Sequence, residues 1–350
     1  MKQRYSILLL SLVLVIASCG KDNGNNTDPL EDATVYVLNE GNFSSANGSI
    51  TSYSPESGST TLQAFDKANG RPMAGYLQTS KVIGDRLYIV SNKANKIEIV
   101  DKNSLKSEGT IEFTYSPTAI EVVDETAYVG LYQYNQNSED IRRIIAYDLA
   151  NMKKTDQKTD VSSMVRDIEF AGGKLYATNN GGNTVTVLDP SDISIEKTIN
   201  VGYAPNEMLL DNEDRIWIAC NGSSYTDKPA SLYVLDAQTA TKIDSIVTGV
   251  EVGTTSYQKR MSLNVEKAEA YLINDGISVI DMNTYSIKEQ AIDTESFYSI
   301  GYFPLQERIY TGKSKGTSQA GKGYVYDLKG TAVDSFNVGI IPHKFHFTSN

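Results

Sequence analysis

The sequence LYATNNGGNTVTVLDP, residues 175–190, contains two short apolar runs on either side of a polar turn. Leu175–Ala177 and Val185–Leu188 are rich in β-branched and aromatic residues, and NNGGN separates them, which is the pattern of a β-hairpin. Both faces of this hairpin are apolar, and an isolated hairpin is only marginally stable in water. Further structure must therefore cover the hairpin on both sides.

Six further hairpins of the same form occur along the chain. Each begins with a strand centred on an aromatic residue, continues through a polar turn, and ends its second strand at a turn residue, usually Asp. A period of about 45 residues without long stretches of helical periodicity predicts a β-propeller. The aromatic centres are Tyr36, Tyr88, Tyr128, Tyr176, Trp217, Tyr271 and Tyr310, and the second strands end at Ser54, Asp101, Asp148, Asp189, Asp236, Asp281 and Asp327.

We therefore predict an all-β fold, a seven-bladed β-propeller of four-stranded blades that occupies residues 34–350. The recurring hairpin forms the middle of each blade, and neighbouring blades cover its two faces. The first repeat begins at Val35 with no inner strand before it, while the chain ends in HKFHF with no aromatic strand after it. We expect His343–Phe347 to supply the missing inner strand and so to close the ring by pairing the C-terminal strand with the first blade.

The N-terminus has the features of a signal peptide. Lys2 and Arg4 precede an apolar run of 11 residues, which is shorter than the roughly 20 residues that span a membrane. The run ends in IASC, which resembles a lipoprotein cleavage site, so residues 1–18 are predicted to be removed and Cys19 to be lipidated. An ordinary signal peptide with a chance cysteine is the alternative. Residues 19–33 are polar and rich in Gly and Asn, which predicts a flexible tether.

Composition excludes two classes of partner. The formal net charge is −11, and removal of the signal peptide, whose only charged residues are Lys2 and Arg4, makes it more negative. Such a chain lacks the positive surface that nucleic acids or anionic lipids require, so we predict no nucleic-acid partner and contact with a membrane through the lipid anchor only. Cys220 is the only cysteine besides Cys19, and an internal disulfide within the propeller is therefore excluded.

One face of the propeller is the predicted binding site. It collects the loops between the second and third strands of each blade and the connections from blade to blade, and these loops concentrate tyrosine and asparagine. Tyrosine offers a stiff apolar ring with a polar tip, and asparagine both donates and accepts hydrogen bonds. This mixture suits a large amphipathic ligand, although some of the tyrosines are expected to pack between blades instead. The predicted ligand-contacting residues are Asn42, Phe43, Tyr76, Asn92, Tyr115, Tyr132, Tyr134, Arg166, Asn180, Tyr203, Asn221, Tyr225, Tyr257, Arg260 and Tyr298.

Catalytic and metal-binding patterns are weak. The two histidines, His343 and His346, are three residues apart on a predicted strand and should point to opposite faces, so they do not form a metal clip. Cys220 has no histidine near it in sequence, which favours an inert buried thiol. GTSQAGKG (316–323) approaches a phosphate-binding loop, but Gly323 stands where Ser or Thr would bind magnesium. We predict no catalytic residue, no metal and no cofactor.

Three segments together resemble a known protein family. YVLNEGNFSSANGSITSYSPESG (36–58), the hairpin of residues 175–190 and VGIIPHKF (338–345) are similar to propeller lipoproteins of gut Bacteroidetes. These are related to the YVTN, or YncE-like, seven-bladed propellers and are often described only as domains of unknown function. The resemblance extends to the BtuG lipoproteins, which capture cobalamin (vitamin B12) and pass it to a TonB-dependent outer-membrane transporter.

The resemblance implies a lipid-anchored outer-membrane protein at the cell surface that binds cobalamin or another corrinoid and has such a transporter as its partner. Two alternatives remain at this stage. The same frame could bind a glycan, a peptide or a surface protein, because rings and amides serve these ligands equally well. An enzyme is the third hypothesis, although the sequence lacks the grouped His, Asp and Glu that a catalytic site needs.

Overall fold

The hairpin of residues 175–190 forms two paired antiparallel strands, with Leu175 opposite Leu188 and Asn179 opposite Thr184. It belongs to a computed structural model that describes residues 33–135, 140–249, 257–293 and 295–349. The predicted signal peptide and Cys19 lie outside the described residues, as does the predicted tether apart from Ala33. No helix in the described ranges is long and apolar enough to cross a membrane.

The described strands form seven four-stranded antiparallel sheets, which confirms the predicted propeller. Blade 1 contains β1 (Thr34–Asn39), β2 (Ser49–Tyr53) and β3 (Thr60–Thr61), and blade 2 contains β4 (Leu77–Ile83), β5 (Arg86–Ser91), β6 (Lys96–Asp101) and β7 (Ser107–Glu112). Blade 3 contains β8 (Ser116–Val123), β9 (Thr126–Gln133), β10 (Ile141–Asp148) and β11 (Lys153–Asp160), and blade 4 contains β12 (Ile168–Ala171), β13 (Lys174–Asn179), β14 (Thr184–Leu188) and β15 (Ile195–Asn200).

Blades 5 to 7 repeat the same order from the inner strand to the outer one. Blade 5 contains β16 (Pro205–Leu210), β17 (Arg215–Cys220), β18 (Ser231–Asp236) and β19 (Thr241–Val247), and blade 6 contains β20 (Met261–Asn264), β21 (Glu269–Ile273), β22 (Gly276–Asp281) and β23 (Ser286–Asp293). Blade 7 contains β24 (Ser299–Phe303), β25 (Arg308–Lys313), β26 (Ala320–Tyr326) and β27 (Ala332–Ile340), and β28 (Pro342–Thr348) completes blade 1.

The C-terminal strand closes the ring as predicted. β28 is the innermost strand of blade 1 and pairs antiparallel with β1, so that Val35 lies opposite Phe347 and Val37 opposite Phe345. The seven sheets are therefore complete between Thr34 and Thr348.

In blades 3 and 4 the recurring aromatic residue joins its hairpin to the next blade. Tyr176 is fully buried, and its hydroxyl donates to the carbonyl oxygen of Ala237 at 2.8 Å. Tyr128 makes the equivalent hydrogen bond to the carbonyl of Pro190 at 2.7 Å. Both acceptors directly follow the Asp that ends the third strand of the next blade, and this Asp accepts from backbone N–H groups of its own turn, for example Ser191 at 2.8 Å. In these two repeats the aromatic residue therefore belongs both to its blade and to the junction with the next one.

Carboxylates of the inner strands form a second set of junctions around the central channel. Glu121 accepts from the backbone N–H of Phe170 at 3.1 Å, and Asp167 accepts from that of Met208 at 3.0 Å. Glu207 continues the pattern by accepting from the N–H of Arg260 at 2.9 Å. Each bond runs from one blade to the inner strand of the next, so buried carboxylates help to hold blades 3 to 6 in register.

Blade 1 has four strands, as predicted, but its outer edge differs from that of the other blades. Its outer strand β3 has two residues and is followed by a short helix, α1 (Ala64–Asn69). Phe65 of this helix and Met73 after it are fully buried against Leu87 and Ile89 of blade 2. The helix therefore fills, with apolar side chains, the space that a longer outer strand would otherwise cover.

Candidate functional site

The mouth of the central channel is closed by aromatic residues from several blades. Tyr257 precedes the inner strand of blade 6, Arg166 precedes that of blade 4, and Tyr76 precedes that of blade 2. The Cζ atom of the Arg166 guanidinium lies 3.6 Å from the centroid of the Tyr257 ring. The same ring makes an edge contact with Tyr76, with 6.0 Å between the ring centroids. Residues from non-adjacent blades can meet only near the axis, so this cluster marks the channel mouth.

A tight turn places Tyr76 in this cluster. Gly75 has φ +99°, a left-handed conformation that favours glycine, and a Cβ there would lie 1.8 Å from the Oγ of Ser91. The Gly75 N–H donates to the carbonyl of Ala46 at 2.9 Å, which ties the connection between blades 1 and 2 to the first hairpin loop. Phe43 of that loop then packs its ring edge-on against Tyr76 at 5.5 Å.

Glu40 is the buried centre of a polar cluster beneath the mouth. Its carboxylate accepts from the hydroxyls of Tyr76 and Tyr298, the latter at 2.9 Å, and lies 2.8 Å from Nδ1 of His343. Burial lowers the pKa of His343 in spite of the neighbouring carboxylate. Burial and Glu40 together raise the pKa of Tyr76, which keeps its hydroxyl protonated as a donor. This cluster connects the loops of blades 1, 2 and 7 and fixes the floor on which the aromatic rings rest.

A cleft of about 350 Å³ opens beside the mouth, and we call it the aromatic cleft. Tyr134 and Phe43 are 64% and 54% exposed, so their rings are available to a ligand. By contrast, Asn92 and Thr118 are buried, and the Oδ1 of Asn92 and the Oγ1 of Thr118 have no hydrogen-bond partner in the described part of the chain. The cleft is lined by Phe43, Gln78, Asn92, Lys93, Asn95, Ser116, Thr118, Tyr132, Gln133, Tyr134, Met164 and Tyr257.

A second cleft, of about 370 Å³, adjoins the first, and we call it the arginine cleft. The two clefts share Tyr132 and Met164, so they form a continuous surface. Arg166 donates from Nε to the Oδ1 of Asn180 at 3.3 Å. The arginine cleft is lined by Tyr132, Asp140, Arg142, Ser162, Ser163, Met164, Arg166, Asn180, Gly181 and Tyr203.

The structure brings ten of the fifteen predicted ligand-contacting residues to this region. They line one of the two clefts or belong to the cluster at the channel mouth. They are Phe43, Tyr76, Asn92, Tyr132, Tyr134, Arg166, Asn180, Tyr203, Tyr257 and Tyr298.

The other five predicted residues lie elsewhere. Arg260 is 2% exposed and donates from Nη2 to the carbonyl of Ile273 at 3.1 Å, so it belongs to the interior, where burial lowers its pKa to about 10. Asn42 uses its side chain within the loops, accepting from the N–H of Ser45 and donating to the carbonyl of Thr317.

Three further residues are also outside the two clefts. Tyr115 packs against the apolar core between blades 2 and 3, and Asn221 is fully buried. Tyr225 is 97% exposed on a short 3₁₀ turn, Ser224–Thr226. Position in a loop was the only basis for predicting these residues, and it does not determine which way a side chain points.

Several residues of the site were missed by the sequence analysis. Gln78, Thr118 and Met164 line the clefts from positions at the start of inner strands or just before them, where a polar or apolar residue gives no distinctive signal. Glu40 lies in the segment of residues 36–58 that resembles the propeller lipoproteins, but it was not predicted to be a site residue. A carboxylate among apolar strand residues and glycine was the signal that could have identified it.

A third cavity, of about 460 Å³, lies between blades 4 and 5 and shares Tyr203 with the arginine cleft. Of the predicted residues only Tyr203 lines it. Its other lining residues are Asn183, Val201, Gly202, Lys228, Pro229, Ser231, Tyr233, Ser245 and Val247.

The two histidines and the cysteine of the described residues have different surroundings. The described residues contain no group of three or more His, Cys, Asp or Glu that could hold a metal ion. His343 faces Glu40, whereas Nε2 of His346 lies 2.6 Å from the hydroxyl of Ser80. Burial raises the pKa of the Cys220 thiol to about 12, which leaves it protonated and unreactive.

The fold is similar to solved propeller structures at low sequence identity. A quinonprotein alcohol dehydrogenase-like protein from Bacteroides thetaiotaomicron is 13% identical, with a TM-score of 0.70 over 91% of this chain and 78% of that one. A putative 6-phosphogluconolactonase from Bacteroides uniformis is 11% identical, with a TM-score of 0.65 over 91% of this chain and 100% of that one. A functionally unknown protein from Desulfotomaculum acetoxidans is 10% identical, with a TM-score of 0.62 over 86% and 94% of the two chains.

At these identities the likeness shows the fold alone.

No curated protein sequence matches the chain. One protein family does match, and its match covers residues 33–227, more than half of the chain, including the first four blades apart from β28 and the residues of both clefts apart from Tyr257. The chain belongs to this family, which is described as a domain of unknown function, DUF5074.

Proposed function

We propose that this protein is a binding protein that captures cobalamin or a related corrinoid at the channel mouth and delivers it to a TonB-dependent outer-membrane transporter. In this proposal Cys19 carries the lipid that anchors the chain to the outer membrane at the cell surface. The protein holds its ligand without transforming it.

The observation that carries the proposal is the pairing of exposed rings with unsatisfied buried polar atoms in the aromatic cleft. Buried polar groups are normally hydrogen-bonded, because leaving one unpaired is costly. The Oδ1 of Asn92 and the Oγ1 of Thr118 are enclosed and lack partners in the described residues, and both belong to side chains that line the cleft. A ligand with amide donors would satisfy them once these side chains change rotamer around it, while its apolar surface lies on Tyr134 and Phe43.

A corrinoid has this combination of chemical groups. Its broad ring carries methyl groups, and amide side chains surround the ring. The aromatic and arginine clefts form a continuous surface across Tyr132 and Met164, which suits a ligand wider than either cleft. Because tyrosine rings have few rotatable bonds and Glu40 fixes the floor beneath them, binding orders few side chains, and this lowers its entropic cost.

Calorimetric titration with cyanocobalamin tests the proposal. The soluble chain from residue 20 should bind one equivalent with submicromolar affinity, and Tyr132→Ala with Tyr134→Ala should weaken binding at least tenfold. Tyr225→Ala, which removes an exposed tyrosine outside both clefts, is the matched control and should bind like the parent protein.

Two other results of the titration would contradict different parts of the proposal. Absence of binding at high micromolar cyanocobalamin would contradict the corrinoid proposal. Binding that the double variant leaves unchanged would retain the ligand and contradict the site.

A further inference from the structure

Arg166 is a buried cation whose hydrogen-bonding capacity is only partly used. Its side chain lines the arginine cleft and is 6% exposed. Tyr257 covers one face of the guanidinium, and Asn180 accepts from Nε. Nη1 has no hydrogen-bond partner within the described ranges. The two neighbours therefore hold the guanidinium in place and leave one of its edges without an acceptor.

The charge of Arg166 is also uncompensated at short range. In the described part of the chain no carboxylate lies within 4.0 Å of it, whereas two lysines of the channel do have such partners. Lys81 lies 2.9 Å from Glu169, and Lys259 lies 3.4 Å from Asp167. Burial lowers the pKa of Arg166, and Glu40 opposes this effect only from a distance. The arginine cleft therefore contains a buried positive charge in a protein whose net charge is −11.

A second arginine lies in the same cleft. Arg142 is 38% exposed and pairs with Asp140 at 3.1 Å, so its charge is largely neutralised in the absence of a ligand. Two guanidinium groups with a single partner carboxylate give the cleft a net positive character. Guanidinium groups bind carboxylate and phosphoryl oxygens through strong, charge-assisted hydrogen bonds.

We propose that the arginine cleft is an anion subsite, in which Arg166 binds a phosphoryl or carboxylate group of a ligand whose apolar part lies in the aromatic cleft. This inference rests on the proposed function and deepens it. Tyr132 and Met164 line both clefts, so one molecule can occupy the two together. For a corrinoid the anion is the phosphodiester that links the ring to its lower base. Nη1 is enclosed, so the contact forms as cleft side chains change rotamer around the ligand.

Comparison of cyanocobalamin with dicyanocobinamide, which lacks the phosphodiester and the base, tests this subsite. The parent protein should bind cyanocobalamin at least tenfold more tightly than dicyanocobinamide. Arg166→Gln should abolish that preference, and Arg166→Lys should restore part of it. Arg86→Gln, which removes an arginine from an exposed pair with Glu108, is the matched control and should keep the full preference.

Two results would overturn the subsite without affecting the proposed function. One is equal affinity of the parent protein for the two corrinoids. The other is an Arg166→Gln variant that loses affinity for both by the same factor. If Arg166→Gln fails to fold, Arg166→Lys, which keeps the buried positive charge, gives the test: its preference should fall below that of the parent protein, and a preference that it leaves unchanged would contradict the proposal.

A probe without a corrin ring keeps the subsite testable if cyanocobalamin does not bind. In saturation-transfer NMR, phenyl phosphate should give signals with the parent protein and with Arg86→Gln, and these should fall at least threefold with Arg166→Gln. Benzyl alcohol, which has the ring without the anion, should give equal signals with all three proteins. Phenyl phosphate signals that persist in Arg166→Gln, or that are absent with the parent protein, would contradict the anion subsite.

Discussion

The ring of Tyr257 lies 3.6 Å from the guanidinium of Arg166, although the two residues precede the inner strands of blades 6 and 4. This contact crosses the propeller axis and closes the channel mouth above Glu40. A cation stacked on an aromatic ring at a desolvated site contributes about 2 kcal/mol. The pair therefore supports both the structure of the mouth and the position of Arg166 in the arginine cleft.

Tyr257→Ala is expected to weaken ligand binding more than it weakens the fold. The substitution uncovers Arg166 and removes a wall of the aromatic cleft, so affinity for cyanocobalamin should fall at least tenfold in calorimetry. The free energy of unfolding should fall by only about 1–2 kcal/mol, since the apolar cores between blades are untouched. Tyr225→Ala serves as the control for both measurements. A loss of stability without a loss of affinity would show that Tyr257 is only a structural residue.

Removal of the C-terminal strand is expected to unfold the propeller. A chain that ends at Pro342 lacks all but one of the residues that pair with β1, and it exposes Val35 and Val37 at the edge of an open ring. Far-UV circular dichroism and thermal unfolding should show loss of the cooperative transition. A chain that ends at Thr348 keeps all of β28 and should unfold like the parent protein. A cooperative transition in the shorter chain would show that closure by β28 is dispensable.

The hydroxyl of Tyr176 is expected to contribute measurably to the junction between blades 4 and 5. Tyr176→Phe keeps the buried ring but leaves the carbonyl of Ala237 without its donor, which costs about 1–3 kcal/mol for a buried acceptor. Urea unfolding should show this loss. Tyr134→Phe removes an exposed hydroxyl from the aromatic cleft and is the control. Equal stability of the two variants would contradict a role for the hydroxyl at the junction.

The blades were predictable because their signals are local in sequence. The ring of Tyr176 and the turn at Asp189 belong to one hairpin, and the same combination recurs in each repeat. The junctions of the channel were not predictable, because Glu121 and Asp167 bind backbone groups of the next blade and nothing near them in sequence marks that contact. Helix α1 was missed because its six residues are too few to show helical periodicity.

The candidate site was likewise only partly predictable from the sequence. Arg166 and Arg260 both precede inner strands, and sequence position assigned both to the binding face. The structure places Arg166 in a cleft and Arg260 in the interior, bonded to the carbonyl of Ile273. The backbone conformation at each connection determines this difference, and residue type does not report it. A concentration of Tyr and Asn in the loops therefore predicts a face for the candidate site but not the direction of each side chain.

Glu169 is expected to make stability depend on pH. Burial and the neighbouring Glu121 and Asp167 outweigh the attraction of Lys81 and raise the pKa of Glu169 from 4.5 to about 7. The folded protein thus holds this proton more tightly than the unfolded chain does. The contribution of Glu169 to stability is therefore fully present below about pH 4.5 and is lost as the pH rises to about 7.

Glu169→Gln removes this dependence, because glutamine stays neutral at every pH. The melting temperature of the variant should match that of the parent protein at pH 4.5 and exceed it by several degrees at pH 8. Lys81 keeps Glu121 as its partner in the variant, so the substitution leaves no unpaired cation. Glu196→Gln, which alters an exposed pair with Lys174, should show a constant difference across this range. A difference between Glu169→Gln and the parent protein that does not change with pH would contradict a raised pKa at Glu169.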